Sequence, residues 1–166
     1  HRIDRRQRQM CIRDSGFDRT SDGNTFNFVR QHSEALLNKS IYFESATNEA
    51  VLNGIVNLHD YAAVDYILGD ESTADETFNN AEQLIIMDYL KNGGKLFVSG
   101  SEIAWDLDWK GSASDKSFIH NYLKMEYVAD APGGSAGTYY SANGIFGSIF
   151  SDVPQFSFDD GTHGTI

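Results

Sequence analysis

Residues 62–102 constrain this chain more than any other stretch. Ala62-Ala63-Val64-Asp65-Tyr66-Ile67-Leu68 is a mostly apolar run, the pattern of a strand covered on both faces. It stops at Gly69-Asp70-Glu71-Ser72. Thr73 and Glu76 then have the spacing of a capping box. Phe78, Ala81, Ile85 and Tyr89 form one stripe of a helix predicted to run to Leu90. Lys91-Asn92-Gly93-Gly94 ends that helix. Residues 95–99 read as the next buried strand, and Gly100-Ser101-Glu102 as its exit turn. Strand, helix and strand of these lengths make a right-handed βαβ unit with two neighbouring parallel strands. Glu71 and Ser101 should then share one sheet edge. Gly100 should be conformationally special, and Glu102 at least partly buried.

The flanks extend the pattern. Residues 25–38 read as a helix with Phe26, Val29, Leu36 and Leu37 near one face. Residues 41–46 read as a strand, and 48–60 as a connection with a short apolar element at 51–56. A further helix is predicted over 115–126, carrying Phe118, Ile119, Tyr122 and Leu123. After Pro132-Gly133-Gly134 the texture changes, and 138–141, 148–150 and 155–158 read as short strands between glycine turns. The expected fold class is α/β: a flavodoxin-like three-layer sandwich with a mostly parallel sheet, truncated, with a short β-rich C-terminal segment.

Charge and cysteine usage narrow the function classes. The 166 residues carry a formal charge of -11, which disfavours contact with nucleic acid phosphates. No apolar run approaches the length of a membrane span. Basic residues crowd the start: Arg2, Arg5, Arg6, Arg8 and Arg13 stand against Asp4 and Asp14, a net of +3 that leaves -14 for the rest. Met10-Cys11-Ile12-Arg13-Asp14-Ser15 resembles one reading frame of a transposase adaptor used in sequencing libraries. Residues 1–15 are therefore expected to be foreign to the domain, which would span 16–166. Arg13 and Asp14 put charges where a strand buried on both faces wants none. The first strand is accordingly expected to be short, irregular or absent, and the chain less stable than an intact domain. Cys11 is the only cysteine, so beyond it there is no disulfide framework, thiolate metal site or cysteine nucleophile.

In open α/β sheets, ligands bind beyond the carboxyl ends of the strands. That rule gathers Asp70, Glu71, Ser72, Ser101, Glu102, Trp105, Asp106 and Asp108 at one crest. Paired carboxylates there could act as acid and base; carboxylates in such loops also bond to helix N-termini, a purely structural role. The candidate catalytic residues are Glu71, Ser101, Glu102 and Asp106. The candidate ligand-binding residues are Asp70, Ser72, Trp105, Asp108 and His163. Trp105 and Trp109 could stack on a sugar ring or simply pack at the rim of the core. Asp106-x-Asp108-x-Lys110-Gly111 partly mimics a calcium loop, but Lys110 occupies a ligand position and Ser117 stands where a bidentate Glu is needed. Asp159, Asp160 and His163 could ligate a cation or form a polar glycine turn. Ser101 with His163 or His120 and a carboxylate could form a triad, although Ser99-Gly100-Ser101-Glu102-Ile103 departs from the G-x-S-x-G elbow. No cofactor and no metal site are expected.

The run 61–102 resembles the middle of class I glutamine amidotransferase-like domains. In that superfamily a strand ends in a glycine turn that helps form an oxyanion hole. A helix with a glycine-rich exit follows, then a strand leading to a nucleophile elbow. Gly69, Gly93-Gly94 and Phe97-Val98-Ser99-Gly100-Ser101 take those places, with Ser101 nearest the elbow. No cysteine follows Cys11, so the residue that glutamine amidotransferase activity requires is missing. A closer resemblance runs through Gly16-Phe17-Asp18-Arg19, the stretches 45–51, 69–73 and 99–108, and Phe158-Asp159-Asp160-Gly161-Thr162-His163-Gly164. These segments are similar to a family of large secreted bacterial proteins often labelled xanthan lyase, found beside fibronectin type III or golvesin-like modules. The resemblance implies a secreted or cell-surface location and glycan or neighbouring domains as partners. The expected role is a non-catalytic or accessory domain binding a small ligand, sugar or partner domain at the crest. The alternative is a carboxylate-dependent hydrolase or polysaccharide lyase using Glu71, Glu102 and Asp106.

Overall fold

Four parallel strands carry the structure. The computed structural model describes residues 9–13, 28–69, 76–129 and 141–157. The chain divides into two units, His1–Tyr127 and Val128–Ile166. In the first, strands β1 (Gln9–Arg13), β2 (Phe43–Thr47), β3 (Ala63–Gly69) and β4 (Leu96–Gly100) lie in the order β2-β1-β3-β4. The chain is a mixed α/β protein with a small parallel sheet. β3 and β4 pair directly, Val64 opposite Leu96 and Tyr66 opposite Val98, as the βαβ pattern predicts.

β1 is short, five residues, as one of the expected alternatives has it, but it is neither irregular nor absent: it pairs in continuous register with β2 on one side and β3 on the other. Its ladders join backbone groups, whatever the side chains. Arg13 is the last residue of the strand. Ile12, the strand's described side chain, is 0% exposed and supplies the apolar contact.

Helices cover both faces of the sheet. Alternation along β3 sends Val64, Tyr66 and Leu68 to one face and Asp65 to the other. The first set joins Ile12, Val51, Leu58, Phe78, Ile86, Tyr89, Phe118 and Ile119 in one core. Apart from Ile12 of β1, these come from α2 (Asn48–Leu52), α3 (Asn80–Lys91), α4 (Ala113–Phe118), the segments between them and the turn that follows α4. Burying each such side chain contributes about 1.5–3 kcal/mol. Helix α1 (Phe28–Asn38) lies on the other face, where His32 meets Asp65. On the same face Phe97 of β4 is 54% exposed, so β4 is not the two-sided buried strand that was expected. Leu37 is also exposed, because the turn of α1 that carries it faces away from the sheet.

α3 starts later than its sequence suggests. Asn79 caps it, accepting from the N–H groups of Ala81 and Glu82, while Glu82 reaches back to the Asn79 N–H. Thr77 and Phe78 precede the helix and are buried, so the capping box is Asn79–Glu82, and Glu76 lies outside the helix. The inward stripe is Glu82, Gln83, Ile86 and Tyr89; Ala81 is exposed and Ile85 half-buried. The shifted start rotates which residues face the sheet. The helix ends as predicted, with Asn92 at the C-cap and Gly93 at φ 87°.

The helical expectation over 115–126 also shifts. A π-helical segment (Trp105–Lys110) leads into α4, and a second (Ile119–Leu123) continues it until Lys124 turns left-handed. Phe118 and Ile119 are buried, as expected. In the second unit β5 (Ser141–Ala142) pairs antiparallel with β6 (Phe156–Ser157). Residues 148–150 form turns, not the expected strand: Ser148 N–H donates to the Ile145 carbonyl and Ser151 N–H to the Ser148 carbonyl. Local turn bonds thus consume the donors that a ladder would need. Among the described residues, no helix is long and apolar enough to cross a membrane.

Candidate functional site

The carboxyl ends of β3 and β4 meet at a tight turn. Gly69 lies opposite Gly100 after a register irregularity at Ile67/Gly69. Ser101 N–H donates to the Gly69 carbonyl at 2.9 Å. Gly100 is special because of close approach: an added Cβ would stand 2.6 Å from Leu68 Cβ and 3.2 Å from the Gly69 carbonyl oxygen. Only a residue without a side chain lets the two strand ends come so near. Glu102 follows at φ 61° and is half-buried, as expected for a carboxylate at this turn. A left-handed backbone costs a non-glycine residue about 1–2 kcal/mol. Helical structure begins immediately afterwards, at Ile103.

This strand–turn–helix junction has the elbow shape that presents one side chain at the top of a sheet. The sequence suggested Ser101 for that position. Within the turn Glu102 is the non-glycine residue with a positive φ.

Asp106 lies one turn on, 7% exposed. Its Oδ2 accepts from the Thr77 N–H at 2.9 Å and the Thr77 hydroxyl at 3.1 Å. Its Oδ1 accepts from Lys110 Nζ at 3.1 Å. These bonds tie the segment before α3 to the helix after β4, a structural use of a candidate catalytic carboxylate. Asp108 is likewise engaged. Its Oδ2 accepts from the Tyr127 N–H at 2.8 Å, and its Oδ1 lies 3.0 Å from His120 Nε2. The Tyr127 N–H, then His120, hold its carboxyl below the usual carboxylate range. The partial calcium-loop spacing thus serves hydrogen bonds instead, and among the described residues no group of three or more His, Cys, Asp or Glu side chains could hold a metal. His120 pairs with Asp108. Trp105 is half-buried with Lys110 Nζ 5.4 Å above its ring, whereas Trp109 is exposed. Asp70, Glu71, Ser72 and the cluster at Asp159, Asp160 and His163 lie outside the described residues.

Two polar constellations were not legible in the sequence. On the core face, Glu82 is 3% exposed and bonded by Asn48 Nδ2 and by the Tyr66 hydroxyl at 3.0 Å. The Tyr66 hydroxyl also lies 2.6 Å from Asn48 Oδ1. The crevice beside them, lined by Val51, Leu58, Ile85 and Ile86, is too tight for a water molecule. On the opposite face, His32 Nδ1 lies 2.7 Å from Asp65 Oδ2, and Asp65 Oδ1 is buried without a bond among the described residues. No motif marks either group, because each joins residues at least 16 positions apart.

Burial pushes the Asp65 carboxyl above its ordinary value, and His32 only partly opposes this. The folded state therefore holds the Asp65 proton more tightly than the unfolded chain. That stability is fully present below the unfolded value of about 3.9 and is lost as pH rises through the raised folded value. Asp65→Asn should remove this loss. Its stability relative to the parent, measured by urea midpoints from pH 3.5 to 7, should improve as pH rises; a constant or shrinking difference would contradict the assignment.

Compared with protein-family models, curated proteins and solved structures, the chain matches none.

Proposed function

We propose that this chain is an accessory binding domain. In this reading its small parallel sheet belongs to a flavodoxin-like three-layer sandwich, and the strand order β2-β1-β3-β4 with helices on both faces supports that assignment. The domain takes a small ligand, sugar or partner domain at the crest formed by Gly69, Gly100, Ser101 and Glu102. Asp70, Glu71 and Ser72 follow Gly69 in sequence. The observation that carries the reading is Asp106: a carboxylate accepting three bonds from its own domain and 7% exposed is a poor acid or base. The class I glutamine amidotransferase-like resemblance fits this view, since its elbow holds Glu102 where that superfamily uses cysteine. A secreted or cell-surface setting, with glycan or neighbouring domains as partners, follows from the same resemblance.

The second reading is a carboxylate-dependent hydrolase or lyase, favoured by the strained backbone of Glu102. Glycan-array binding and a hydrolase and lyase activity screen, each on the parent chain and Glu102→Gln, separate the two. Binding weakened about tenfold in the variant with no turnover in either protein supports the binding domain. Turnover by the parent that Glu102→Gln abolishes supports the enzyme.

A further inference from the structure

Trp109 is 67% exposed, yet it is not loose. The Tyr127 ring stands 5.5 Å away at 37° and covers part of it. Tyr127 is itself fixed, because its backbone N–H donates to Asp108 Oδ2 at 2.8 Å. The other oxygen of Asp108 is held by His120 at 3.0 Å. Asp108 has a side chain 13% exposed, so a mostly buried carboxylate positions the half-buried Tyr127 against the exposed Trp109. Indole left in water gains nothing for the fold. Trp105, the other indole, differs: it is half-buried and Lys110 sits over its ring.

We infer that Trp109 and Tyr127 form a stacking platform for a neutral hexopyranose unit of a glycan. Aromatic faces carry negative charge density. The axial C–H groups of a pyranose are weakly positive and lie on one apolar side of the ring, while its hydroxyls project around the rim. The platform is small for a protein partner, since a stable interface buries more than about 1,000 Å². The formal charge of -11 favours an uncharged glycan over a polyanionic one. The assignment rests on the binding-domain reading and places a glycan contact on residues separate from the crest turn.

Native affinity electrophoresis of the 166-residue chain tests it, with hydroxyethyl cellulose, glucomannan or galactomannan cast in separate gels. The parent should be retarded in at least one gel. Trp109→Ala and Tyr127→Ala should lose at least four-fifths of that retardation, and Trp109→Phe should keep part of it. Asp108→Asn should weaken it while leaving the melting temperature of the first unit's core nearly unchanged. Leu37→Ala, an exposed position of α1 outside both surfaces, should run like the parent. Trp109→Ala removes an exposed ring, so its circular dichroism melt should match the parent and exclude misfolding as the cause. No retardation in any gel overturns the inference. So does retardation equal in Trp109→Ala and the parent. Retardation lost in Glu102→Gln but kept in Trp109→Ala also overturns it, and leaves the crest as the binding site. Concentration-dependent dimerisation abolished by Trp109→Ala, without retardation, would identify a self-association face and equally overturn it.

Discussion

Glu82→Ala is expected to destabilise the first unit by about 3–5 kcal/mol, the largest single effect among these residues. Glu82 is 3% exposed on the inward stripe of α3. Its Oε1 accepts from Asn48 Nδ2 and from the Tyr66 hydroxyl, and its Oε2 accepts from the Asn79 N–H at 2.5 Å. One side chain therefore joins α2, β3 and the first turn of α3. Its carboxyl group also lies in the first turn of α3, where the backbone N–H groups have no partner within the helix. Alanine would leave the Asn48 amide buried without this acceptor and remove half of the capping box. A methyl group also cannot fill the space of the carboxylate. Glu82→Gln keeps the shape and one acceptor, so it should cost about 1 kcal/mol. Urea midpoints of the two variants measure the difference. Equal losses for Ala and Gln would show that packing, rather than the acceptor set, is what Glu82 contributes.

The second large effect belongs to β1. Ile12→Ala should cost about 2–5 kcal/mol, the range for emptying a fully buried aliphatic site. Ile12 is 0% exposed and pairs in register with Ala46 of β2 and Tyr66 of β3. Since β1 separates those strands, the loss should be global. Hydrogen exchange should accelerate in β2 and β3 together, not in β1 alone. Leu37→Ala is the control: Leu37 is 59% exposed and its truncation should change stability by less than about 0.5 kcal/mol. If Ile12→Ala behaves like Leu37→Ala, β1 does not contribute the central strand.

The repeating patterns of the sequence carried the scaffold. The apolar run of β3, the Asn92-Gly93-Gly94 stop and the run of β4 fixed two neighbouring parallel strands, because a run of that length between glycine turns has few other ways to hide its side chains. The same runs fixed the crest, since the carboxyl ends of parallel strands point one way. Gly100 and the partial burial of Glu102 followed from the turn chemistry alone. Local capping was less determinate: Thr73–Glu76 and Asn79–Glu82 both satisfy the spacing of a capping box. The burial of Thr77 and Phe78, with Thr77 bonded to Asp106, accompanies the use of the second.

Tertiary structure decided the rest. Charge composition argued against a strand at residues 9–13, but two backbone ladders and one buried isoleucine suffice to make it. The sequence put Ser101 nearest the turn's tip, and only the backbone shows that the positive φ falls on Glu102. Asp106 and Asp108 looked alike as candidate acids, yet one ties Thr77 to Lys110 and the other fixes Tyr127. Composition and periodicity report which side chains leave water. They carry no record of which distant donor reaches a given carboxylate, and that pairing decides whether the group is free to do chemistry or is already occupied in holding the fold.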